Sequence, residues 1–154
     1  MTISPYLRRL RELVGHELLV LPSVTVLPRD EDGRLLLVRL TSCGLWATIG
    51  GVIEPGESPH QCAVREVREE AGVDVRLNEL MGVFGGPRYE HTYSNGDRTC
   101  NVSIVFDATV TGGRPTPDGI ETAEVGWWHL ADVPEAHMLG FSRTLVGELG
   151  LLDP

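Results

Sequence analysis

Glu66, Glu69 and Glu70 fall within five residues of one helix-like run, and that crowding constrains the chain more than any other feature. Ser58 is a natural N-cap, Pro59 suits the first helical position, and Gln61 stands where a capping box needs it. Gly72 is placed for the C-terminal stop. The pattern predicts a helix over Pro59–Ala71. At 100° per residue the three carboxylates share an arc of roughly 100°. Ala63, Val64, Val67 and Ala71 form the neighbouring apolar face, which should dock on a sheet. The acids lie toward the C-terminal half, where the macrodipole disfavours negative charge. Two readings stay open. The face is solvated and relieved by pairs such as Arg65–Glu69, or it gathers oxygen ligands around a hard divalent cation.

The formal net charge of −9 bears on that choice. It argues against nucleic-acid polymers and anionic membranes as partners, since both need a basic surface. All thirteen basic residues are arginine and none is lysine. An acidic chain that handles an anionic substrate needs another source of positive charge, and a metal ion is the obvious one. With 154 residues the chain is expected to form one domain, 1–154, with residues 1–16 as an N-terminal helical extension. No run approaches the roughly 18 apolar residues of a membrane span. Arginines interrupt the start, "MTISPYLRRLRELVGHE", so no signal-peptide core is read and a cytoplasmic location is expected. Cys43, Cys62 and Cys100 share no metal-type spacing and read as buried or idle thiols.

The remaining elements follow from pattern. Ser4, Pro5 and the recurrence of Leu7, Leu10 and Val14 predict a helix over about Pro5–Val14. "ELLVLPSVTVL" reads as a strand in which Pro22 marks a bulge or edge, and the turn "DEDG" joins it to "RLLLVRL" as a hairpin. "LWATI" leads into Gly50–Gly51. Val73 to Val83 holds one or two strands, and an Asn-Gly turn precedes the strand "CNVSIVFDATV". "TGGRPTPDG" is a loop, "EVGWWHL" a late strand, and Ser142 is expected to cap a last short helix. The mixture lacks regular β-α alternation. It favours an α+β class, with a mixed sheet sandwiched between helices.

From Gly51 through Glu57, Arg65-Glu66-Val67 and Glu69-Glu70 to Gly72-Val73, the chain resembles a complete Nudix box of 23 residues. "LLLVRL", Trp46 and "DGIETAEVGWW" extend a weaker likeness to bacterial Nudix proteins over most of the chain. The one departure is Thr48-Ile49, where relatives often carry Leu-Pro and the proline stiffens the approach to the glycines. The resemblance implies an α/β/α sandwich and hydrolysis of a phosphoanhydride in a nucleoside diphosphate linked to another moiety. A nucleoside triphosphate, a nucleotide sugar, ADP-ribose or a dinucleotide would each qualify. It implies Mg²⁺ or Mn²⁺ held by Glu66, Glu69 and Glu70, joined by the Gly50 carbonyl, with Glu57 and Arg65 as an ion pair that fixes the loop. Gly51 and Gly56 would let the backbone turn and approach the ligand. The alternative is a Nudix-fold sensor that binds a nucleotide without cleaving it, but such modules usually lose box glutamates and this chain keeps them.

Other residues carry weaker expectations. Arg39 is a candidate for a distal phosphate, beside Gly50 and Gly51 as substrate-contacting backbone. The general base is open between Glu66, Glu121 and Glu124. Glu124 should share a strand face with Gly126 and Trp128, whereas Glu121 lies in a loop expected to swing over the substrate. Trp46, Phe84, Tyr89, Tyr93 and Trp127 read as packing and Arg88 and Arg98 as solvated arginines, while His60, His91 and His129 lack metal-type spacing and, like His137, are assigned no role. The expected partner is a small molecule; a homodimer stays open.

Overall fold

Alternation along three strands builds two cores on opposite faces of one sheet. The computed structural model describes residues 3–152. Its elements are α1 (Pro5–Val14), β1 (Leu18–Arg29), β2 (Leu35–Leu40), β3 (Trp46–Ala47), β4 (Ile49–Val52), α2 (Pro59–Ala71), β5 (Val73–Phe84), β6 (Glu90–Thr92), β7 (Arg98–Gly113), β8 (Thr122–Trp128) and α3 (Gly140–Glu148). Short 3₁₀ turns connect several of them. Val24, Val26, Leu36, Val38, Phe106 and Ala108 pack on one side with Cys62, Ala63, Val67 and Ala71 of α2. Their neighbours Leu27, Leu35, Leu37 and Val105 pack on the other side with Leu145 and Val146 of α3. The period of two along each strand thus gives each helix its own apolar seat. The result is the expected mixed sheet between helices.

The eight strands form one sheet along the path β3-β2-β1-β7-β5, with β4 on β1, β6 on β7 and β8 on β2. β1 runs parallel to β7 over its whole length, from Leu18 opposite Arg98 to Arg29 opposite Thr109. Its other edge is divided. β4 pairs antiparallel with Ser23 to Val26, while β2 meets β1 only where Arg29 faces Leu35. The predicted hairpin is therefore real at its turn but short. Asp30 Oδ1 accepts the amides of Asp32 and Arg34, and β2 then leaves β1 for β8. That divergence opens the space into which β4 fits.

Three expectations need correction. Pro22 lies on an interior strand, opposite Val102 of β7, at the place where pairing with β4 begins. Its carbonyl accepts the Ile53 amide at 3.0 Å, so its missing N–H falls where a ladder ends. In α1 only Leu7 is buried, and Val14 is exposed. The helix is instead held by Arg11, whose guanidinium donates to the carbonyls of Gly15, Glu17 and Arg98. Ser142 does not cap α3. It lies within the helix, fully buried, and hydrogen-bonds Thr48. In contrast, α2 has the predicted bounds, with both bonds of the Ser58–Gln61 capping box and Gly72 in the left-handed region at φ 70°.

Candidate active site

The two glycines before α2 are demanded by clearance. At Gly50 an added Cβ would lie 2.1 Å from the Val24 carbonyl oxygen, and at Gly51 it would lie 2.2 Å from Glu66 Oε1. The absence of side chains lets β4 run directly beneath the carboxylates of α2. There the Gly50 amide donates to Glu70 Oε2 at 3.4 Å. Gly56 has a different reason. Its φ of 83° requires glycine, and no atom stands near the missing Cβ.

Arg65 organises the acids. Its Nε and one terminal nitrogen hold Glu57 in a two-point pair at 2.7 and 3.0 Å. Its other terminal nitrogen reaches Glu66 at 2.7 Å and Glu69 at 3.0 Å. The Glu57 carboxylate also accepts the Glu54 amide at 3.1 Å, which closes the loop before α2. The guanidinium holds the Glu57 carboxyl below its ordinary pKa. Burial pushes Glu66 the other way, and Arg65 only partly opposes it. Glu70 is affected most. Burial, then the charge of Glu66, drives its carboxyl far above the usual range against the Gly50 hydrogen bond.

These groups line a cavity of about 630 Å³. Gly50, Gly51, Glu66, Glu69 and Glu70 form one side, with Glu54 and Arg65 beside them. Ser4, Pro5 and Leu7 of the N-terminal helix form part of the wall, as do Asp118, Ile120 and Glu121 of the loop before β8. Among the described residues, no three acidic, histidine or cysteine side chains are already arranged as a closed metal cage.

The structure separates the three candidate bases. Glu66 and Glu121 both face the cavity. Glu124 is on the exposed surface of β8, where it pairs with Arg39 at 2.7 Å. Arg39 also donates to the Gly44 carbonyl and is not among the cavity residues. The loop of Glu121 is tied down more firmly than a swinging lid. Asp118 Oδ1 accepts the amides of Ile120, Glu121 and Thr122 at 2.8–2.9 Å. Thr41 holds the Glu121 carbonyl through its amide and its hydroxyl. The buried Thr122 hydroxyl donates to the Glu70 carbonyl at 2.9 Å, joining the loop to α2. Asp118 and Thr122 were not singled out from sequence. The available signal was "DGIET", in which an aspartate four residues before a threonine can collect the intervening amides.

A NUDIX domain model matches residues 20–146. The chain belongs to the Nudix family. It is 33% identical over 102 residues to a putative 8-oxo-dGTP diphosphatase of Bacillus subtilis (strain 168), covering 66% of this chain and 62% of that one. It is 36% identical over 115 residues to the NAD-capped RNA hydrolase NudC of Stutzerimonas stutzeri (strain A1501), covering 73% of this chain and 38% of the relative. The match therefore spans less than two thirds of either relative. Among solved structures, an ADP-ribose pyrophosphatase from Streptococcus suis 89-1591 superimposes with a TM-score of 0.67 at 24% identity, covering 85% of this chain and 87% of that one. This likeness shows the Nudix fold. The wall formed by Ser4, Pro5 and Leu7 lies outside the matched domain.

Glu70 sets a pH dependence in the metal-free protein. Its folded pKa is raised, so above the ordinary carboxylate value of about 4.3 the folded state holds a proton that the unfolded state has lost. Its contribution to stability falls as pH rises toward the folded value. Glu70→Gln in EDTA should melt at or above the wild-type temperature at pH 8, with the difference shrinking toward pH 4.5. A variant that melts lower at pH 8 contradicts this reading of Glu70. The Arg65–Glu57 pair makes a separate prediction. A double-mutant cycle of Arg65→Ala and Glu57→Ala, read by urea unfolding, should give a coupling on the order of 1 kcal/mol. Additive losses would show that the pair contributes nothing.

Proposed function

We propose that this Nudix protein is a metal-dependent hydrolase of a phosphoanhydride bond in a nucleoside diphosphate linked to another moiety. The observation supporting it is the burial of Glu70 and the near-burial of Glu66 against the bare backbone of Gly50–Gly51, in one cavity with Glu69 and Glu121. Buried like charges are costly unless something offsets them. A hard cation fits this all-oxygen donor set, and Glu66, Glu69, Glu70 and the Gly50 carbonyl are the groups that would hold Mg²⁺ or Mn²⁺. When bound, such an ion neutralises phosphate oxygens and makes a water acidic enough to attack.

The chain itself supplies position and proton transfer. The glycine backbone admits a diphosphate close to α2. Arg65 steadies Glu66 and Glu69 from beside them in the cavity wall. Glu121 is the proposed acceptor of the proton from the attacking water, or an additional ligand, because it faces the same cavity. Glu66, the other candidate, is a weaker base if it is bound to a cation. Arg39 as a distal phosphate contact would require a substrate long enough to reach beyond the cavity and compete with Glu124. Retention of every box glutamate favours catalysis over a sensor.

We place the substrate among small molecules, since a net charge of −9 opposes a polyanion. The name of the Stutzerimonas relative makes capped RNA the specific alternative. Among the described residues no helix is long and apolar enough to cross a membrane, and a cytoplasmic location is part of the proposal. Assembly as a homodimer is left to a sedimentation measurement.

The first test is a panel of nucleoside triphosphates, a nucleotide sugar, ADP-ribose, a dinucleotide and NAD-capped RNA, assayed with Mg²⁺ or Mn²⁺. EDTA should abolish hydrolysis, and either cation should restore it. Full turnover after thorough chelation would sink the metal-dependent reading. Product identity will tell which phosphorus is attacked. In a second test, Glu69→Gln and Glu70→Gln should each lower kcat by about a thousandfold, roughly 4 kcal/mol of transition-state stabilisation. Glu121→Gln should lower kcat far more than it changes KM and should alter the pH–rate profile. An unchanged Glu121→Gln profile beside a large loss in Glu66→Gln would move the base to α2.

A further inference from the structure

Thr48 occupies the break between β3 and β4. β3 pairs with β2 and β4 pairs with β1, so the chain changes partner at this residue and its amide lies outside both ladders. That amide donates to Ser142 Oγ at 3.0 Å, and the two hydroxyls lie 3.0 Å apart. Both residues are buried, Ser142 completely. The contact continues backward along the chain. The Leu139 amide donates to the Trp46 carbonyl at 2.8 Å, and Met138 bridges Trp46 in parallel. Residues 138–142 thus bind the stretch 46–48 as it approaches the glycines.

Two residues after Thr48, Gly50 passes so close to β1 that no side chain fits, and its amide meets Glu70. Small changes in backbone direction at residue 48 are carried straight into this approach. The stretch 46–52 contains no proline ring to restrict it. A buried hydrogen-bonded pair restrains the same torsions from outside, because an amide and a hydroxyl sealed from water keep their partner.

We propose that Ser142 is a positioning residue. Through Thr48 it fixes the direction in which β4 carries the Gly50–Gly51 backbone past the carboxylates of α2. Its effect on turnover rests on the hydrolase reading above; its effect on the backbone rests on the geometry alone. The last helix thereby becomes part of the machinery of a site it does not touch.

The test compares wild type with Ser142→Ala, Thr48→Val and Thr48→Ser, all well below their melting temperatures. Amide hydrogen exchange of Gly50 and Gly51 is followed in the metal-free protein. The kinetic parameters and the half-activating Mg²⁺ concentration are measured with the best substrate of the panel. In Ser142→Ala the two glycine amides should exchange about tenfold faster. Its kcat should fall about ten- to a hundredfold while KM stays within about twofold, since misplacement by an ångström costs that much. The half-activating Mg²⁺ concentration should rise. Thr48→Ser, which keeps the hydroxyl, should lie closer to wild type than Thr48→Val in every measure. Unchanged glycine exchange in folded Ser142→Ala overturns the proposal whatever the activity. Faster exchange with unchanged kcat and Mg²⁺ dependence overturns the catalytic part. If Ser142→Ala does not fold, Thr48→Val is judged by the same criteria. Wild type inert on the whole panel would sink the hydrolase reading instead, and glycine exchange would still decide the backbone claim.

Discussion

One guanidinium, that of Arg65, holds three carboxylates from two segments, and the geometry of the cavity depends on it. Its two-point grip on Glu57 ties the loop after β4 to the middle of α2. Its remaining nitrogen meets Glu66 and Glu69. Arginine suits this role because five donors in a rigid fork can serve several acceptors at once, which an ammonium on a flexible stem does less well. The pair with Glu57 is partly shielded from solvent, so it is less screened than an open surface bridge. The loop is consequently closed before any ligand arrives, and the approach of a phosphate need not organise it.

Glu70 lies outside that arrangement. Among the described contacts its carboxylate has the Gly50 amide, with Glu66 near enough to repel it. Burial and like charge therefore act together against its ionised form. Such a placement weakens the empty fold, and it concentrates the unmet demand for positive charge at the floor of the cavity. The trade is common where function needs a group that folding alone would not bury. The absence of lysine from the chain sharpens the point. No lysine ammonium can swing in to satisfy Glu70, and among the described contacts no arginine reaches its carboxylate, whose hydrogen bond comes from the Gly50 amide.

Local chemistry was legible in the sequence, and long-range pairing was not. The bounds of α2, its caps, the turn at Asn95-Gly96 and the acidic face all rest on interactions within a few residues. The parallel pairing of β1 with β7 joins segments about eighty residues apart, and hydrophobic pattern alone does not name a partner. Ser142 shows the limit clearly. Its identity and position suit a cap, and the partner that decides its role is Thr48, 94 residues away. Arg39 is a similar case: a cation near the box suggests phosphate, but the strand opposite supplies Glu124. The Glu57–Arg65 pair, only eight residues apart, was expected from the resemblance to the box.

The contrast between Glu121 and Glu124 turns on one extra residue. Opposite Arg39 and Leu40 of β2 stand Glu124 and Thr122, so Ala123 is a bulge in β8. Beyond it alternation is regular: Val125 and Trp127 pack toward α2, and Trp128 packs toward α3. Unbroken alternation would give Thr122 the same face as Trp128, away from α2. The bulge reverses that parity and lets the Thr122 hydroxyl reach the Glu70 carbonyl. With Thr122 anchored there, the Asp118 turn closes over the same side and Glu121 faces the cavity. Glu124, on the regular side of the bulge, is left beside Arg39. A period-two reading of "TAEVGWW" places Glu124 correctly and cannot anticipate Thr122, because the residue that breaks the period is an alanine with no turn signal of its own.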